Sequence, residues 1–316
     1  MDNTLDPRWT AALAHSRYLA NQLQAHPGLI PELAATWLNP LSEDLLLAPL
    51  KQDFADDDAV KSALRRLRHR AMCHIALRDL CGLAPLGEVV ESMTMLADVT
   101  TNFALDHYHR QLVATYGEPL DKAGHPQRLL IIGMGKLGGR ELNVSSDVDY
   151  IFIYPEEGDT AGPKSIENYD FFTRLGKRVI AALGELTANG QVFRVDMRLR
   201  PNGDSGPLVC SLDALENYFI TQGREWERYA WIKSRVMNAG PNADGAALGE
   251  WMAALRRISR PFVFRKYLDF GAINAMRDLH AQISREVARK DMADHVKLGP
   301  GGIREIEFIA QVFQLI

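Results

Sequence analysis

The amino-acid sequence predicts an α+β protein in which a small mixed sheet with packed helices lies between two helical segments. Helical periodicity fills roughly the first 85 residues, strand-like runs appear only in the middle, and helical periodicity returns after Leu212. A chain of 316 residues is long enough for two or three compact units. We predict an N-terminal helical region over 1–85, a sheet-containing domain over 86–240 and a C-terminal helical region over 241–316.

The composition is that of an ordinary globular protein, with 47% apolar and 24% charged residues. The net charge of −4 gives no general attraction for nucleic acid or anionic membranes, so neither is expected as a partner. The sequence has no apolar run of the ~18 residues that a membrane-spanning helix needs, and no signal peptide. With three scattered cysteines (Cys73, Cys81 and Cys210) that suit buried thiols in a reducing compartment, these features predict a cytoplasmic protein.

The N-terminal region carries apolar residues at three- and four-residue spacing, most clearly in VKSALRRLRHRAMCHIALRDL. We interpret the basic cluster at 65–70 within it as a solvated helix face, with nucleotide or acidic-partner binding as the alternative. A second long helix is predicted after Pro85, in GEVVESMTMLADVTTNFALDHYHRQLVATYG.

The middle of the chain has the order strand, turn, strand, helix, strand. Residues 129–133 and 147–154 are rich in Ile, Val, Phe and Tyr and predict strands. A helical pattern then begins at Ser165 and ends near residue 189. QVFRVDMRLR, at 191–200, predicts a further strand before the turn-rich PNGDSGP, and NAGPNADG at 238–245 predicts a loop among later helices.

The segment GMGKLG, at 133–138, matches the G-x-G-x-x-G fingerprint of dinucleotide-binding folds. In those folds the glycines open a full helix, and a ribose-binding acid follows about 20 residues later. Here Asp147 follows Gly138 by nine residues and Asp149 by eleven, which leaves room for one or two helical turns only. A Walker A loop also fails, because Lys136 lies between glycines with no Ser or Thr after it. The spacing therefore argues against both kinds of nucleotide-binding loop.

The two acids of SDVDYIF suggest another chemistry. Residues i and i+2 of a strand project from one face, so Asp147 and Asp149 present adjacent carboxylates. Adjacent anions repel unless a positive charge lies between them, and magnesium or manganese prefers oxygen ligands. A turn cap is the alternative interpretation of such a pair when it stands alone.

A third acid, Asp196, is expected beside the first two. In 194–200 the alternation places Val195, Met197 and Leu199 toward the core, whereas Arg194, Asp196, Arg198 and Arg200 share the open face. An acid among cations is typical of a site for a phosphate–metal complex. The alternative is that Arg198 and Arg200 merely neutralise Asp196.

Three segments carry a resemblance to a known family: GMGKLGGRELNVSSDVDYIF, RVDMRLRPNGDSGPLV and GREWERYAWIKSRVMNAG. They resemble the bifunctional glutamine synthetase adenylyltransferase/adenylyl-removing enzymes, and HVKLGPGGIREIEFIAQVFQLI resembles the next conserved block of that family. The resemblance implies a nucleotidyltransferase domain like that of DNA polymerase β, present in two homologous halves. The N-terminal half removes AMP from a tyrosine of glutamine synthetase and the other half adds it; this chain resembles the removing half.

The resemblance also implies roles for particular residues. WER-x-A-x-x-K-x-R is expected to be a helix in which Lys233 and Arg235 either contact nucleotide or pack. Polymerase-like members often have Gly-Ser where this chain has Gly135 and Lys136. The expected catalytic and metal-binding residues are Asp147, Asp149 and Asp196, and those expected to bind nucleotide or phosphate are Gly133, Gly135, Lys136, Ser145, Ser146, Arg198, Arg200 and Lys233.

The implied reaction is phosphorolysis, in which phosphate attacks tyrosyl-AMP and releases ADP, with two Mg²⁺ or Mn²⁺ ions as cofactors. The implied partners are glutamine synthetase, the PII signal protein, phosphate, ADP and ATP. The alternatives are AMP addition from ATP, and a non-catalytic docking module for glutamine synthetase or PII. The apolar face of IREIEFIAQVFQLI, at 303–316, lacks a glycine or basic cap, so we expect the chain to be a piece of a longer protein.

Overall fold

The computed structural model describes residues 6–238, 245–264, 294–297 and 299–315, and five isolated positions between 277 and 289. Within these residues a five-stranded sheet has helices on both faces, which confirms the predicted α+β class. Most of the loop predicted at 238–245 lies outside the described residues. The predicted domain boundaries stay predictions.

The N-terminal part is helical, as predicted. Two long helices dominate it, and each begins at a residue suited to the position: the Asp56 side chain accepts a hydrogen bond from Ala59 N at 2.8 Å, and Pro85 precedes the other helix. Gly117, with φ of +84°, ends the second one. The helices are α1 (Pro7–His15), α2 (Arg17–Ala25), α3 (Leu29–Thr36), α4 (Glu43–Leu47), a 3₁₀ turn (Ala48–Leu50), α5 (Asp57–Leu80) and α6 (Leu86–Tyr116).

One residue of the basic cluster on α5 does not lie on a solvated face. Arg65 is fully buried, and Arg66 is the exposed arginine of the cluster. The Arg65 guanidinium donates to four backbone carbonyls, at 2.8 Å to Gly190 and 3.0 Å to Ala182 among them. The prediction that Arg65 faces solvent is therefore wrong. Its guanidinium donates to backbone carbonyls, most of them near the end of a neighbouring helix, where an exposed arginine would donate to water.

The sheet is mixed, in the order β3-β2-β1-β5, with β4 also paired to β2. The two predicted strands of the glycine segment form its centre and pair antiparallel. The other side of β1 pairs antiparallel with β5, whereas β3 and β4 pair with β2 in parallel. The strands are β1 (Leu130–Met134), β2 (Val148–Tyr154), β3 (Val195–Asp196), β4 (Val209–Ser211) and β5 (Ser234–Val236).

Both faces of the central strands are buried, each in its own apolar core. The β2 strand is further tied to α6 by a hydrogen bond of 2.7 Å between the hydroxyls of Tyr150 and Thr101. Because side chains alternate along a strand, the two cores draw on alternate residues. One core contains Ile131, Tyr150, Phe152 and Tyr154 with α5, α6 and α8 (Asn168–Gly184). The other contains Leu130, Ile132, Ile151 and Ile153 with α9 (Leu212–Thr221), α10 (Glu225–Trp231) and α11 (Gly245–Val263).

The remaining helices flank or follow the sheet. A single turn, α7, joins β1 to the chain that leads to β2, as the short spacing predicted. None of the helices in the described part of the chain combines the length and apolar character needed to cross a bilayer. The later helices are α7 (Gly135–Gly138), α8 (Asn168–Gly184), α9 (Leu212–Thr221), α10 (Glu225–Trp231), α11 (Gly245–Val263) and α12 (Ile303–Leu315).

Two sequence predictions need correction. The strand expected over 191–200 is only the two residues of β3, because Arg200 N donates to Met197 O at 3.2 Å and the chain turns there. The helix expected to contain Lys233 and Arg235 ends at Trp231. Arg235 lies instead in β5, opposite Gly133 of β1, and Lys233 directly precedes that strand.

Candidate active site

The glycine turn at the end of β1 is shaped by two close approaches. Gly135 has a backbone φ of +58°, a value that residues with a side chain rarely adopt. A Cβ at this position would lie 3.8 Å from Asp149 Oδ2. A Cβ on Gly138 would meet Lys233 O at 2.2 Å, so glycine is required for the turn to pack on the chain before β5. The turn therefore brings backbone directly beside one of the predicted acids.

The three aspartates lie at the start of β2. Asp149 and Asp196 are direct partners in the parallel pairing of β2 with β3, and Asp147 lies two residues before Asp149. By the alternation of β2, Asp149 shares the face of Ile151, which α9–α11 cover. Two stretches that are 47 residues apart in the chain thus supply one carboxylate cluster.

The ionised form of Asp149, the middle one of the three carboxylates, is electrostatically disfavoured. Burial, the charge of Asp196 and the charge of Asp147 raise the pKa of Asp149 from 3.8 to about 6, against smaller opposing effects of Arg198 and Lys297. Among the described residues none forms an ion pair or hydrogen bond with the Asp149 carboxylate. The cluster therefore contains an anion that its surroundings do not balance.

Arginines engage the other two carboxylates. Arg194 lies 2.5 Å from Asp147 Oδ1 without hydrogen-bond geometry, and that buried oxygen has no donor among the described residues. Arg198 is bidentate on Asp196 (2.8 Å from Nε to Oδ2), and this hydrogen bond lowers the pKa of Asp196. Both arginine side chains are largely exposed, at 66% and 72%. They border the carboxylates and remain open to solvent.

The donor set is chemically suited to a divalent cation. In the described part of the chain no three His, Cys, Asp or Glu side chains are already grouped as a metal site, since two of the aspartates turn toward arginines. The Asp149 carboxylate nevertheless has no ion pair with a described residue and has a raised pKa, which indicates a negative charge on hard oxygen ligands without a direct counter-charge. The residues present therefore fit magnesium or manganese.

The other predicted phosphate-binding residues are placed unevenly. Lys136 is half-buried in the glycine turn, and Gly133 is buried in β1. Ser145 is exposed just before the acids, while the Ser146 hydroxyl donates to Asn143 Oδ1 at 2.6 Å within its own turn. The glycine turn and the serines thus flank the carboxylates in space, as they do in sequence.

Arg200 departs from its predicted position. Its side chain is only 12% exposed, and the guanidinium donates to Met197 O at 2.8 Å and to Gly206 O. It is therefore bound into the PNGDSGP loop and does not share the open face, although its charge still lowers the pKa of Asp196.

Lys233 is held by two carboxylates. Its ammonium group contacts Glu141, in the loop after the glycine turn, and lies 3.4 Å from Glu307 of α12. Burial lowers the pKa of Lys233, but the hydrogen bond to Glu141 and the charges of both glutamates give a net increase. Nearby, Arg235 donates to Asp98 of α6 at 2.8 Å. Both cations therefore connect elements around the glycine turn.

Two cations near the site were missed as site residues from the sequence. Arg194 was placed on the open face but not assigned a role, although its position two residues before Asp196 was the available signal. Lys297 is remote in sequence and is exposed in the described loop before α12, where its charge opposes the increase in the Asp149 pKa. No spacing pattern connects position 297 to the aspartates.

Comparisons with known proteins identify the family of the chain. The family described as glutamate-ammonia ligase adenylyltransferase matches residues 8–250. The chain belongs to that family. The family described as GlnD PII-uridylyltransferase matches residues 277–316. The glutamate-ammonia ligase adenylyltransferase family is a nucleotidyltransferase family, which confirms the fold that the motifs implied.

Individual relatives carry the same description. A bifunctional glutamine synthetase adenylyltransferase/adenylyl-removing enzyme of Aromatoleum aromaticum is 58% identical over 96% of the chain and 31% of its own length. Enzymes of that name from Nitrosomonas europaea and Neisseria meningitidis serogroup A are 54% and 48% identical, over 33% and 34% of their own lengths. The chain spans about a third of the length of the curated relatives it matches.

Proposed function

We propose that this site removes AMP from the adenylylated tyrosine of glutamine synthetase by phosphorolysis, with ADP as the product. The observation that carries the proposal is the pairing of Asp149 with Asp196 beside the glycine turn, with two solvent-open arginines at the border. This combination suits a phosphoryl group that is transferred between two oxygens. Removal rather than addition rests on the resemblance of the motifs to the removing half of the family.

The reaction needs little proton chemistry from the protein. An oxygen of hydrogen phosphate forms a bond to the AMP phosphorus, the bond from phosphorus to the tyrosine oxygen breaks, and the proton of hydrogen phosphate ends on the phenol. Hydrogen phosphate is already nucleophilic near neutral pH, so no side chain has to act as a strong base. What the protein must supply is alignment and charge neutralisation.

The carboxylates would be the ligands of the cofactor. Asp147, Asp149 and Asp196 would hold Mg²⁺ or Mn²⁺, and when bound these ions neutralise phosphate charge and orient the reacting groups. The increase in the Asp149 pKa supports this assignment, because an opposite charge beside the carboxylate would relieve the repulsion that causes part of it.

The chain's cations bring two anionic groups together. Arg194 and Arg198 are close enough to the carboxylates to turn toward an incoming phosphate, and both are exposed. The glycine turn, which contains Lys136, follows β1, and β1 and β3 lie on opposite sides of β2. The phosphate and the AMP group are thus expected between the turn and the arginines.

The direct test measures ADP release. Adenylylated glutamine synthetase is incubated with the chain, magnesium and phosphate, and unmodified glutamine synthetase with the chain, magnesium and ATP. We expect ADP formation in the first mixture and no AMP incorporation in the second. AMP incorporation alone would establish the reverse reaction, and activity in neither mixture with retained binding of glutamine synthetase would establish a docking module.

A variant pair ties the activity to the carboxylates. Asp147→Asn together with Asp149→Asn is expected to lower ADP release by at least about 100-fold, the scale of losing a principal charge-stabilising group. Asp53→Asn, at an exposed loop position, serves as the control and should leave the rate unchanged. A double variant with the wild-type rate would disprove the site.

A further inference from the structure

We propose that the N-terminal helical part binds a small organic anion in a cavity beside the basic cluster of α5, where Arg66 and Arg70 hold its phosphate or carboxylate group. The inference does not depend on the proposed reaction, because none of the residues that line this cavity belongs to the carboxylate site. It gives a role to the arginines of the cluster other than Arg65.

The cavity lies between α3, the 3₁₀ turn and one side of α5, and its volume is about 370 Å³. Cavities that bind small molecules usually have volumes of ~300–1,000 Å³, so this one has room for one compact molecule. Leu29 of α3 and Ala63 and Leu67 of α5 supply apolar wall. Such a lining suits a ligand that has a carbon body as well as a charged group.

The charged part of the lining is mainly basic. Arg66 and Arg70 lie four residues apart on α5, so their side chains project from the same side of the helix, and their like charges repel. Glu32 is the one acid among the described residues that line the cavity, and its carboxylate lies 3.8 Å from the Arg70 guanidinium. One carboxylate thus faces two guanidinium groups, which leaves a net positive charge for an anion to neutralise.

Arg66 has its hydrogen-bond donors available. Its side chain is exposed, and its guanidinium forms no hydrogen bond or ion pair with any residue that the structure describes. The neighbouring Arg65, by contrast, donates to four backbone carbonyls. The planar guanidinium matches the two oxygens of a carboxylate or phosphate, so Arg66 is suited to hold the charged group of the ligand.

Other contacts hold the lining in place without a ligand. His69 Nε2 donates to Asn189 O at 3.0 Å, and the Arg70 guanidinium donates to Leu45 O. The His26 ring stacks on the His69 ring, with 5.2 Å between the ring centroids. Because these side chains are already ordered, a ligand would immobilise few of them, which reduces the entropic cost of binding.

Calorimetry with three probes tests the cavity. Phenyl phosphate, benzoate and benzyl alcohol share one aromatic ring, but the first carries a phosphate, the second a carboxylate and the third no charge. EDTA is present throughout, so that no divalent cation can bind phosphate at the carboxylate site. We expect at least one of the two anions to bind, and benzyl alcohol to bind at least about ten-fold more weakly, as for loss of a charge-assisted hydrogen bond. Binding of one anion alone identifies whether the ligand carries a phosphate or a carboxylate.

Variants locate the binding. Arg66→Met should weaken binding of the anion about ten-fold, and Arg66→Lys, which keeps the charge without the planar fork, should weaken it less. Arg17→Met, at an exposed arginine of α2 outside the cavity, is the matched control and should bind like the wild type. Because the Arg66 side chain is exposed, the midpoint of thermal unfolding should not change in its variants.

Asp149→Asn separates this cavity from the carboxylate site, and its affinity for the anion should equal that of the wild type. The inference is overturned if neither anion binds, if benzyl alcohol binds as tightly as the anions, if Arg66→Met keeps the wild-type affinity, or if Asp149→Asn loses it. A chain that releases no ADP from adenylylated glutamine synthetase but binds the anion through Arg66 would reject the proposed reaction alone.

Discussion

Arg65 in α5 and the aspartates at the start of β2 are both charges removed from water, yet their partners differ. The Arg65 guanidinium has four carbonyl acceptors, from Lys61, Ala182, Glu185 and Gly190. Asp149 has two like charges beside it and no ion pair with a described residue. Arg65 thus has hydrogen-bond partners within the protein, whereas Asp149 lacks a direct counter-charge that a ligand could supply.

A buried charge with a structural role has polar partners within the fold, whereas one with a functional role lacks them. Burial lowers the pKa of Arg65, but its carbonyl partners include those of the last turn of α8, where a cation is favoured. Such a charge holds α5 on α8. The carboxylates instead repel one another, which destabilises the folded protein. A bound cation would reduce this repulsion, so the carboxylates would contribute favourably only when a cation is bound.

The largest expected effect is on stability and tests the role of the buried Arg65. Arg65→Met leaves four carbonyls with weakened or missing donors, and we expect the free energy of unfolding to fall by about 3–5 kcal/mol. Arg66→Met, at the exposed neighbour, should change it by less than about 0.5 kcal/mol. Urea denaturation measures both, and an Arg65 variant as stable as the Arg66 variant would break the comparison.

A second experiment tests Asp149 through the pH dependence of the free energy of unfolding. Because the pKa of Asp149 in the folded protein is about 6 against 3.8 for the free group, its protonated form is favoured by folding. Its stabilising contribution is complete below pH 3.8 and is lost as the pH rises through 6.

In the presence of EDTA, the wild type should therefore lose stability relative to Asp149→Asn between pH 4 and 7, by no more than about 3 kcal/mol. Magnesium should reduce this loss at pH 7. Unfolding curves for the two proteins, with and without magnesium, give the difference directly. Parallel pH profiles would show that Asp149 carries no stored repulsion.

The smallest effects separate two neighbouring arginines. Arg198→Ala removes an exposed cation of the site and should raise the KM for phosphate about ten-fold with little change in stability. Arg200→Ala removes contacts within its own loop and should cost about 1 kcal/mol of stability with less than about a three-fold change in KM. Phosphate kinetics and thermal unfolding distinguish these outcomes, and interchanged phenotypes would contradict the placement of both residues.

Sequence reasoning was most successful where one pattern was long. The strands β1 and β2, the helices α6 and α8 and the one-turn α7 followed from apolar runs and from the spacing between the glycines and Asp147. The meeting of Asp149 with Asp196 also followed, because strand alternation and the excess of nearby arginines both favoured it. These features depend on local patterns that tertiary packing did not override.

Short strands and long-range partners were beyond the sequence. The strands β4 and β5 have three residues each, and Ser234, Arg235 and Val236 look like a continuation of the preceding helical pattern. The burial of Arg65 depends on carbonyls more than 100 residues away. The turn of the Arg200 side chain back into its own loop depends likewise on contacts that carry no periodic signal.

The most direct test of the account is a crystal of the chain grown with manganese and phosphate, in which anomalous scattering locates the metal. We predict metal about 2.0–2.3 Å from oxygens of Asp147, Asp149 and Asp196, with phosphate beside it. Arg194 or Arg198 would then have moved from its carboxylate to the phosphate. Manganese bound elsewhere while Asp147 and Asp196 keep their arginine partners would contradict the claim that these three carboxylates form the cation site.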